Sequence, residues 1–282
     1  MVRADLAAED AFRILAPTLS ERQEWMRLYV VYEVITDREE DVARKVANLL
    51  TMGEIAEMRM EEPLRGFECF GKAFVADPLN RDARERIESL AASHDMWENV
   101  PGLMLEGALV IDGSPEALGL RLHAARILRD RLSDLKASAA AFEKIIEDIP
   151  DNHEALEALD ELYSTLEDWK ELARILRAEF DASREVADKV RFMLRFATVC
   201  EDRLNDSAAA LDARQEVLFL VPNQSDAVAA LRMMFNAGKH RAQVLDILEP
   251  IYVDTSAWED LTTVYEAALA DVSEASSRRG IM

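Results

Sequence analysis

The side chains that most often carry out catalysis are few in this chain and lie far apart along it. The 282 residues include four histidines and two cysteines, Cys69 and Cys200. The sequence contains no HExxH or facing ExxH pairs, no CxxC spacing, no glycine-rich phosphate loop and no GxSxG turn, which are the patterns that place a metal, a phosphate or a nucleophile. Both cysteines lie in apolar helical surroundings and are expected to be buried. We therefore expect no enzyme activity, no metal and no cofactor.

The charge of the chain favours some partners over others. Asp and Glu number 55 against 33 Lys and Arg, which gives a formal net charge of -22. A field of this sign repels phosphate backbones and anionic lipid surfaces and attracts basic proteins or peptides. The first residues include Asp5, Glu9 and Asp10 where a signal peptide needs an apolar stretch, and no run approaches the roughly 20 apolar residues of a spanning helix. We expect a cytoplasmic protein with a protein partner, no nucleic acid and no membrane insertion, unless a targeting segment precedes this stretch.

A repeat organises the chain. Pro78, Pro150 and Pro222 are equally spaced and define a 72-residue period, and other positions keep the same step. Similarity at a fixed step along the chain is the sequence signature of a repeat architecture. The further series are Trp25, Trp97 and Trp169 (with Arg241 next); Ala11, Ala83, Ala155 and Ala227; Leu15, Ile87, Leu159 and Leu231; and Leu28, Val100, Leu172 and Val244.

The spacing of apolar residues and the positions of proline and capping residues predict four helices in each period. In one copy they are predicted at about 114–132, 136–149, 152–165 and 167–183. Pro150 ends the second of these, and Asp151 or Asn152 is suited to cap the third. With only 9 glycines and 8 prolines in 282 residues, the turns must be short and the elements long. Four helices joined by such turns predict an all-α chain of successive antiparallel hairpins.

At these residues the sequence resembles the tetratricopeptide repeat (TPR) family, as in its large bacterial members. Gly66, Phe70, Ala73 and Pro78 match the small–aromatic–small–proline spacing of the second TPR helix, and 159–176 resembles a Leu–Tyr first helix followed by a tryptophan-led second helix. Two 34-residue units and four further residues make the period. The resemblance implies a right-handed α-solenoid of about 14–15 antiparallel helices. The small residues Gly53, Ala125 and Ala197 stand one place from the family pattern, which puts the helix crossing angles in doubt.

The same pattern predicts a single repeat domain over residues 1–282. Its copies would cover about 1–42 (partial), 43–114, 115–186 and 187–282. In the last copy the Leu–Tyr–Trp pattern returns later than one period would place it, by about a helix and a turn, which predicts one additional helix there. Neither end carries an obviously polar capping repeat, so the chain is expected to be a fragment of a longer array.

Two polar or aromatic series keep the register of the period, and each has two interpretations. Arg59, Arg131 and Arg203 are each followed three positions later by an acid. They either face a bound chain or stand at helix C-termini while the acid caps the next helix, and the second is favoured because the acids recur with them. The tryptophans are either exposed contact points or parts of the packing between hairpins. Packing is favoured because each leads an apolar helical pattern.

The resemblance also implies where a partner would bind. In TPRs the first helix of each hairpin lines the concave groove, which would make acidic helices alternate with helices whose groove positions are apolar around a polar centre. Such a groove suits an amphipathic segment with Lys or Arg on one side. The alternative is that the acids form a solvated face and the apolar positions belong to the core. The candidate positions are Asp82, Glu85, Leu120, His123, Ile127, Glu154, Glu157, Glu161, Phe192, Arg195 and Val199.

Together these observations favour a non-catalytic scaffold or adaptor that binds a partner protein or peptide of basic or amphipathic character. Two other interpretations stay open at this level. The chain is either a structural module that assembles with itself, or the docking or regulatory arm of a larger enzyme.

Overall fold

The computed structural model describes the backbone of residues 2–279 and the side chains of residues 11–269. Fifteen α-helices and no strand occur in this part of the chain, which confirms the all-α prediction. The helices are α1 (Val2–Glu21), α2 (Trp25–Thr36), α3 (Val42–Met58), α4 (Pro63–Ala76), α5 (Arg81–His94), α6 (Val100–Val110), α7 (Pro115–Asp130), α8 (Leu135–Asp148), α9 (His153–Leu166), α10 (Trp169–Ala182), α11 (Val186–Asp202), α12 (Ser207–Leu220), α13 (Ser225–Asn236), α14 (Arg241–Asp254) and α15 (Trp258–Arg279), with a 3₁₀ turn at Trp97–Asn99 before α6.

The helices keep the 72-residue period closely. The starts of α4, α8 and α12, at positions 63, 135 and 207, follow one another by one period, and so do those of α5, α9 and α13, at 81, 153 and 225. The start of α10, at position 169, divides the period between α8 and α12 into a 34-residue step and a slightly longer one. Consecutive helices from α1 to α7 and from α9 to α15 pack on each other through short turns. The chain therefore forms successive TPR-like helical hairpins, and the period is made of unequal steps, as the sequence predicts.

The chain divides into two compact units, residues 1–145 and 146–282, and the division falls within α8. The core of the first unit is built from α2 to α7 around Phe70, Phe74 and Ile87, which are fully buried. That of the second unit is built from α10 to α15 and includes Leu176 and Leu231. The cysteine on α4 lies in the first core and the one on α11 in the second, so both are buried as predicted.

Local chemistry explains where several helices begin and end. The Asn80 and Asn152 side chains accept a hydrogen bond from the backbone N–H three positions on, at 2.9 Å in both cases, which supplies a donor of the first turn with a partner. The turns after α3, α7 and α11 each pass through a left-handed residue, at Glu61, Ser133 and Asn205. This conformation lets the next backbone N–H reach back to a helix carbonyl, as in the turn after α11, where the two atoms are 2.8 Å apart.

The stretch 187–282, for which one additional helix is predicted, contains most of α11 and all of α12 to α15. Helix α15 begins at Trp258, one period after the start of α11 at Val186, and therefore stands in the register of a first helix. The boundaries of the copies and the view of the chain as a fragment of a longer array stay predictions.

Candidate protein-binding faces

Helices α3, α5 and α7 form one face of the first unit, which we call its odd-helix face. Arg86 of α5 donates to Glu54 of α3 at 2.9 Å, and His123 Nε2 of α7 lies 3.0 Å from Glu88 Oε1 of α5. The His123 hydrogen bond lowers the pKa of the Glu88 carboxyl against the opposing effect of its partial burial. Side chains that bridge neighbouring odd helices therefore cover part of this face.

The second unit has an equivalent odd-helix face, formed by α9, α11, α13 and α15. Arg195 of α11 donates to Asp160 of α9, with Nη2 at 2.8 Å from Oδ1, and Arg232 of α13 lies 2.8 Å from Asp260 of α15. The first of these pairs stands one period after the His123 pair of the first unit. Arg232 of α13 occupies the position one period after Asp160, so a base replaces the acid of the earlier pair. Its acidic partner, Asp260, lies on the following odd helix, α15. The bridging pair is therefore a repeated feature.

The predicted groove residues divide into three groups in the structure. The exposed acids lie on α5 and α9, with Glu85 paired to Arg81 at 2.6 Å. His123 and Arg195 are the bases of the bridging pairs and lie beside α5 and α9, respectively. The apolar positions are buried or half-buried, so they pack inside their units more than they line a surface. The exposed group is Asp82, Glu85, Glu154, Glu157 and Glu161; the apolar group is Leu120, Ile127 and Phe192, each 4% exposed, and Val199, half-buried.

The two predicted acidic helices differ in charge. Helix α5 has as many arginines as carboxylates, and all three of its arginines lie within 4 Å of a carboxylate oxygen. Helix α9 carries Glu154, Glu157, Asp160 and Glu161 but no Lys or Arg. The exposed acids of α9 follow a spacing of three and four positions and so share one side of the helix. The concentrated negative charge of the predicted groove is therefore on α9.

A carboxyl group is enclosed next to this acidic helix. The Glu179 side chain of α10 is 4% exposed, and its Oε2 atom has no hydrogen-bond partner in the described structure. Burial raises its pKa to about 8, and the nearby Asp160 and Glu157 carboxylates add to the rise while Arg195 opposes it. Ionisation of Glu179 is thus coupled to the charges of the odd-helix face. The corresponding position in the first unit, one period earlier, is Gly107.

The tryptophan and arginine series are one structural feature. Each arginine lies over the ring of the tryptophan that begins the preceding even helix or, for Trp97, stands three residues before it. Each tryptophan is half-buried against its core. The arginines stand at the C-termini of α3, α7 and α11 as expected. The guanidinium groups of Arg59, Arg131 and Arg203 lie 5.2, 4.9 and 4.5 Å from the ring centroids of Trp25, Trp97 and Trp169, in that order.

The acids that follow these arginines cap helices in two of the three copies. Asp134 and Asp206 accept from the backbone N–H groups three positions on, at 2.9 and 3.0 Å. Glu62 makes no such bond and pairs with Arg65 at 2.9 Å instead, which corrects the expectation for that copy. A glutamate side chain is one methylene longer than the aspartates and is a poorer cap.

The even-numbered helices expose a different surface. On the even-helix face of the first unit (α2, α4 and α6), α4 packs on α6 and Arg65 of α4 contacts Met26 of α2. Large apolar side chains project from all three helices. They are Met26, Val30, Val34, Leu64, Leu105, Leu109 and Val110, and Leu109 is 70% exposed.

The sequence interpretation did not identify this even-helix face or the partners that bridge the odd helices. The acids Glu88 and Asp160 do recur with their basic partners at the repeat period, which is a detectable pattern. The exposure of Leu64 or Leu109 leaves no such trace, because apolar residues on a helix indicate burial unless the tertiary contacts are known.

The described residues were also compared with what a metal site and a membrane-spanning helix need. Among the residues whose placement is described, no group of three or more His, Cys, Asp or Glu side chains is arranged to hold a metal ion. No helix in the described part is both long enough and apolar enough to cross a membrane.

No family model matches the chain, and no curated protein is similar to it. Solved structures similar to it include a tetratricopeptide repeat protein from Parabacteroides merdae, at 14% identity over 94% of this chain and 93% of that one, with a TM-score of 0.30. Another is the structure of Naa15/Naa10 bound to HypK-THB, at 14% identity over 94% of this chain and 52% of that one, with a TM-score of 0.28. Because the identities and TM-scores are this low, the fold is assigned from the positions and packing of the helices in this chain and not from these similarities.

Proposed function

We propose that this protein is a non-catalytic scaffold. The odd-helix face of its second unit would bind a basic or amphipathic segment of a partner protein. The observation that carries the proposal is the charge of α9, which has four carboxylates and no Lys or Arg. Glu154, Glu157 and Glu161 are exposed on one side of it. The excess of acids over the whole chain draws a basic segment toward this face, and the cytoplasmic location predicted from the sequence is part of the proposal.

The bridging pairs support a surface of defined shape. Arg195 holds Asp160 in place beside Glu157, so the acids of α9 are presented by packed helices and not by a mobile loop. A bound segment would pair its Lys or Arg side chains with the exposed acids, and exposed pairs of this kind contribute more to association rate and specificity than to affinity.

Fluorescence anisotropy with a labelled 12-residue peptide of alternating Lys and Ser tests the proposal. This peptide has positive charge without an apolar helical stripe. We expect Glu157→Lys to weaken its binding at least about fivefold at low salt, and higher salt to weaken wild-type binding because exposed charges are screened. The control Asp181→Lys makes the same charge change on the even helix α10, where Asp181 is exposed.

Equal losses in the two variants would mean that the peptide senses only the net charge and would contradict a site on α9. Absence of binding to the wild type at low salt would contradict the proposal as well.

A further inference from the structure

A groove of about 820 Å³ crosses the even-helix face of the first unit. Leu49 and Met52 of α3 and Phe67 of α4 line it from the core side. Leu64 of α4, 67% exposed, and Leu103 of α6 line it from the surface helices. Because Leu49, Met52 and Phe67 are themselves buried, the uncovered apolar surface of the groove comes mainly from the side chains along its sides, such as Leu64 and Leu103.

A second groove lies at the equivalent repeat positions of the second unit. It measures about 460 Å³ and lies between α12 and α14, the helices that follow α4 and α6 by two periods. Phe219, at 88% exposed, is one of its lining residues. Since different side chains form a groove at the same place in both units, the groove is a property of the repeat. The matched lining positions are Phe67 and Leu211, Glu68 and Asp212, Gly71 and Gln215, Val75 and Phe219, Asn99 and Gln243, Gly102 and Asp246, Leu103 and Ile247, and Glu106 and Pro250.

The charges around both grooves are mainly negative. In the second unit both charged lining residues are acids, Asp212 and Asp246. In the first unit four exposed acids line the groove against two lysines. An apolar channel with an acidic border is complementary to an apolar stripe bordered by basic side chains. The charged residues of the first groove are Glu33, Asp37, Glu68 and Glu106, and Lys45 and Lys72.

We propose that the groove of the first unit binds an amphipathic helix of a partner protein, with its apolar stripe in the groove and its Lys or Arg side chains against the bordering acids. The shape favours a helix because the groove runs between two helices whose lining residues recur at helical spacing, as Phe67, Gly71 and Val75 do on α4. This surface lies on the even helices, so the proposal goes beyond binding at the odd-helix face.

Gly102 makes the groove testable without disturbing the core. It lies inside α6 and lines the groove, and a Cβ atom added there would meet nothing within 4 Å. A leucine at this position would occupy groove volume while replacing a residue of low helix propensity. Gly119 is the matched control, since it lies inside α7 away from the groove lining, is exposed, and has equally open surroundings.

The experiment measures binding of a 14-residue acetylated Leu/Lys peptide that forms an amphipathic helix, by isothermal titration calorimetry at 0.05 and 0.5 M NaCl. We expect Gly102→Leu to weaken binding at least tenfold at both salt concentrations, because apolar contact is lost, and Gly119→Leu to leave it within twofold. A peptide of the same composition with the leucines scattered should bind at least tenfold more weakly than the amphipathic one.

Three outcomes would overturn the proposal. The first is equal binding by the Gly102→Leu and Gly119→Leu variants. The second is a loss of Leu/Lys peptide binding with Glu157→Lys and not with Gly102→Leu, which would assign the peptide to the odd-helix face. The third is a wild-type dimer in sedimentation velocity that Gly102→Leu dissociates, because a second copy of the chain would then occupy the groove.

Discussion

Across the odd-helix face of the first unit, charged side chains pair from helix to helix, whereas its even-helix face exposes apolar side chains. The exposed large apolar residues of α3, α5 and α7 are Val42 and Met58, at the two ends of α3. Helices α2, α4 and α6 expose seven, including Leu64 and Leu109. Both sets of helices belong to the same repeat, so the difference comes from the side chains that each position of the repeat carries.

One array of helices can therefore offer a partner two kinds of contact. On the odd helices, pairs such as Arg86 with Glu54 already satisfy much of the charge, so a partner there is selected by the acids that remain exposed. On the even helices, a partner gains roughly 25 cal/mol for each Å² of apolar surface that it covers. We expect salt to weaken the first contact strongly and the second less, because apolar burial carries most of the second.

The largest effect is expected where α9, α10 and α11 of the second unit enclose Glu179. Its folded-state pKa of about 8 lies above the ordinary value of 4.5, so ionisation favours unfolding and the chain loses stability as the pH rises from about 5 to about 8. We expect Glu179→Gln to be more stable than the wild type by roughly 2–4 kcal/mol at pH 8 and nearly equal to it at pH 5. Urea unfolding at both pH values measures this.

The control for that prediction is Glu185→Gln, a change on the exposed turn before α11. It should follow the wild type at both pH values. A Glu179→Gln variant whose stability depends on pH as the wild type does would contradict the assignment of this titration to Glu179.

The next effect concerns the contact between odd helix α3 and even helix α4. A Cβ atom added to Gly53 would overlap the ring of Phe70, and Phe70 is fully buried in the core. We expect Gly53→Ala to destabilise the protein by about 2 kcal/mol through overpacking. Gly119→Ala, in open surroundings, should instead stabilise it by roughly 0.5–1 kcal/mol. Thermal and urea unfolding of the two variants should move in opposite directions, and a loss at Gly119 would contradict this account.

A smaller effect is expected where a tryptophan before an even helix meets the arginine at the end of an odd helix. Replacing Trp97 by Leu removes the ring over which Arg131 lies at 4.9 Å. We expect a loss of about 1 kcal/mol, of which roughly 0.5 kcal/mol is coupling to Arg131. A double-mutant cycle with Arg131→Met measures the coupling, and additive losses would show that packing alone holds the tryptophan.

The smallest effect belongs to the odd-helix face itself. The His123 hydrogen bond lowers the pKa of Glu88, so its contribution is present at neutral pH and is lost as the pH falls and the carboxyl is protonated. Because both side chains are about a third exposed, we expect Glu88→Gln to cost less than about 0.5 kcal/mol at pH 7 and still less at pH 3. Urea unfolding at the two pH values measures this, and a cost that grows toward pH 3 would contradict it.

The positions of the helices could be predicted from the sequence. The four predicted for one period, 114–132, 136–149, 152–165 and 167–183, are found at 115–130, 135–148, 153–166 and 169–182. This works because the causes are local: apolar spacing sets the buried side, Pro150 follows the end of one helix, and Asn152 caps the next. The C-terminal positions of Arg59, Arg131 and Arg203 are equally local and were predicted.

The chemistry of the faces was predicted less completely. Leu120, Ile127 and Phe192 were candidates for a groove and are buried, while the acids of α5 and α9 are exposed as a binding face needs. Position within a family pattern predicts which helix would line a groove, but the burial of a side chain depends on how closely the next hairpin packs. The departures of small residues from the family pattern, as at Gly53 and Ala125, leave that packing open. The binding role of these residues stays a prediction.

The number, order and spacing of the helices follow from the amino-acid sequence alone, because they depend on contacts within a few turns and on a period that recurs down the chain. Which charges meet and which apolar side chains stay uncovered depends on how the helices pack. Trp97 precedes α6 and meets Arg131 after α7, and Glu88 of α5 meets His123 of α7, so each contact exists only once helices that are distant in sequence have packed together. The same packing leaves the groove of the first unit open and encloses Glu179, and no local pattern of residues distinguishes either outcome.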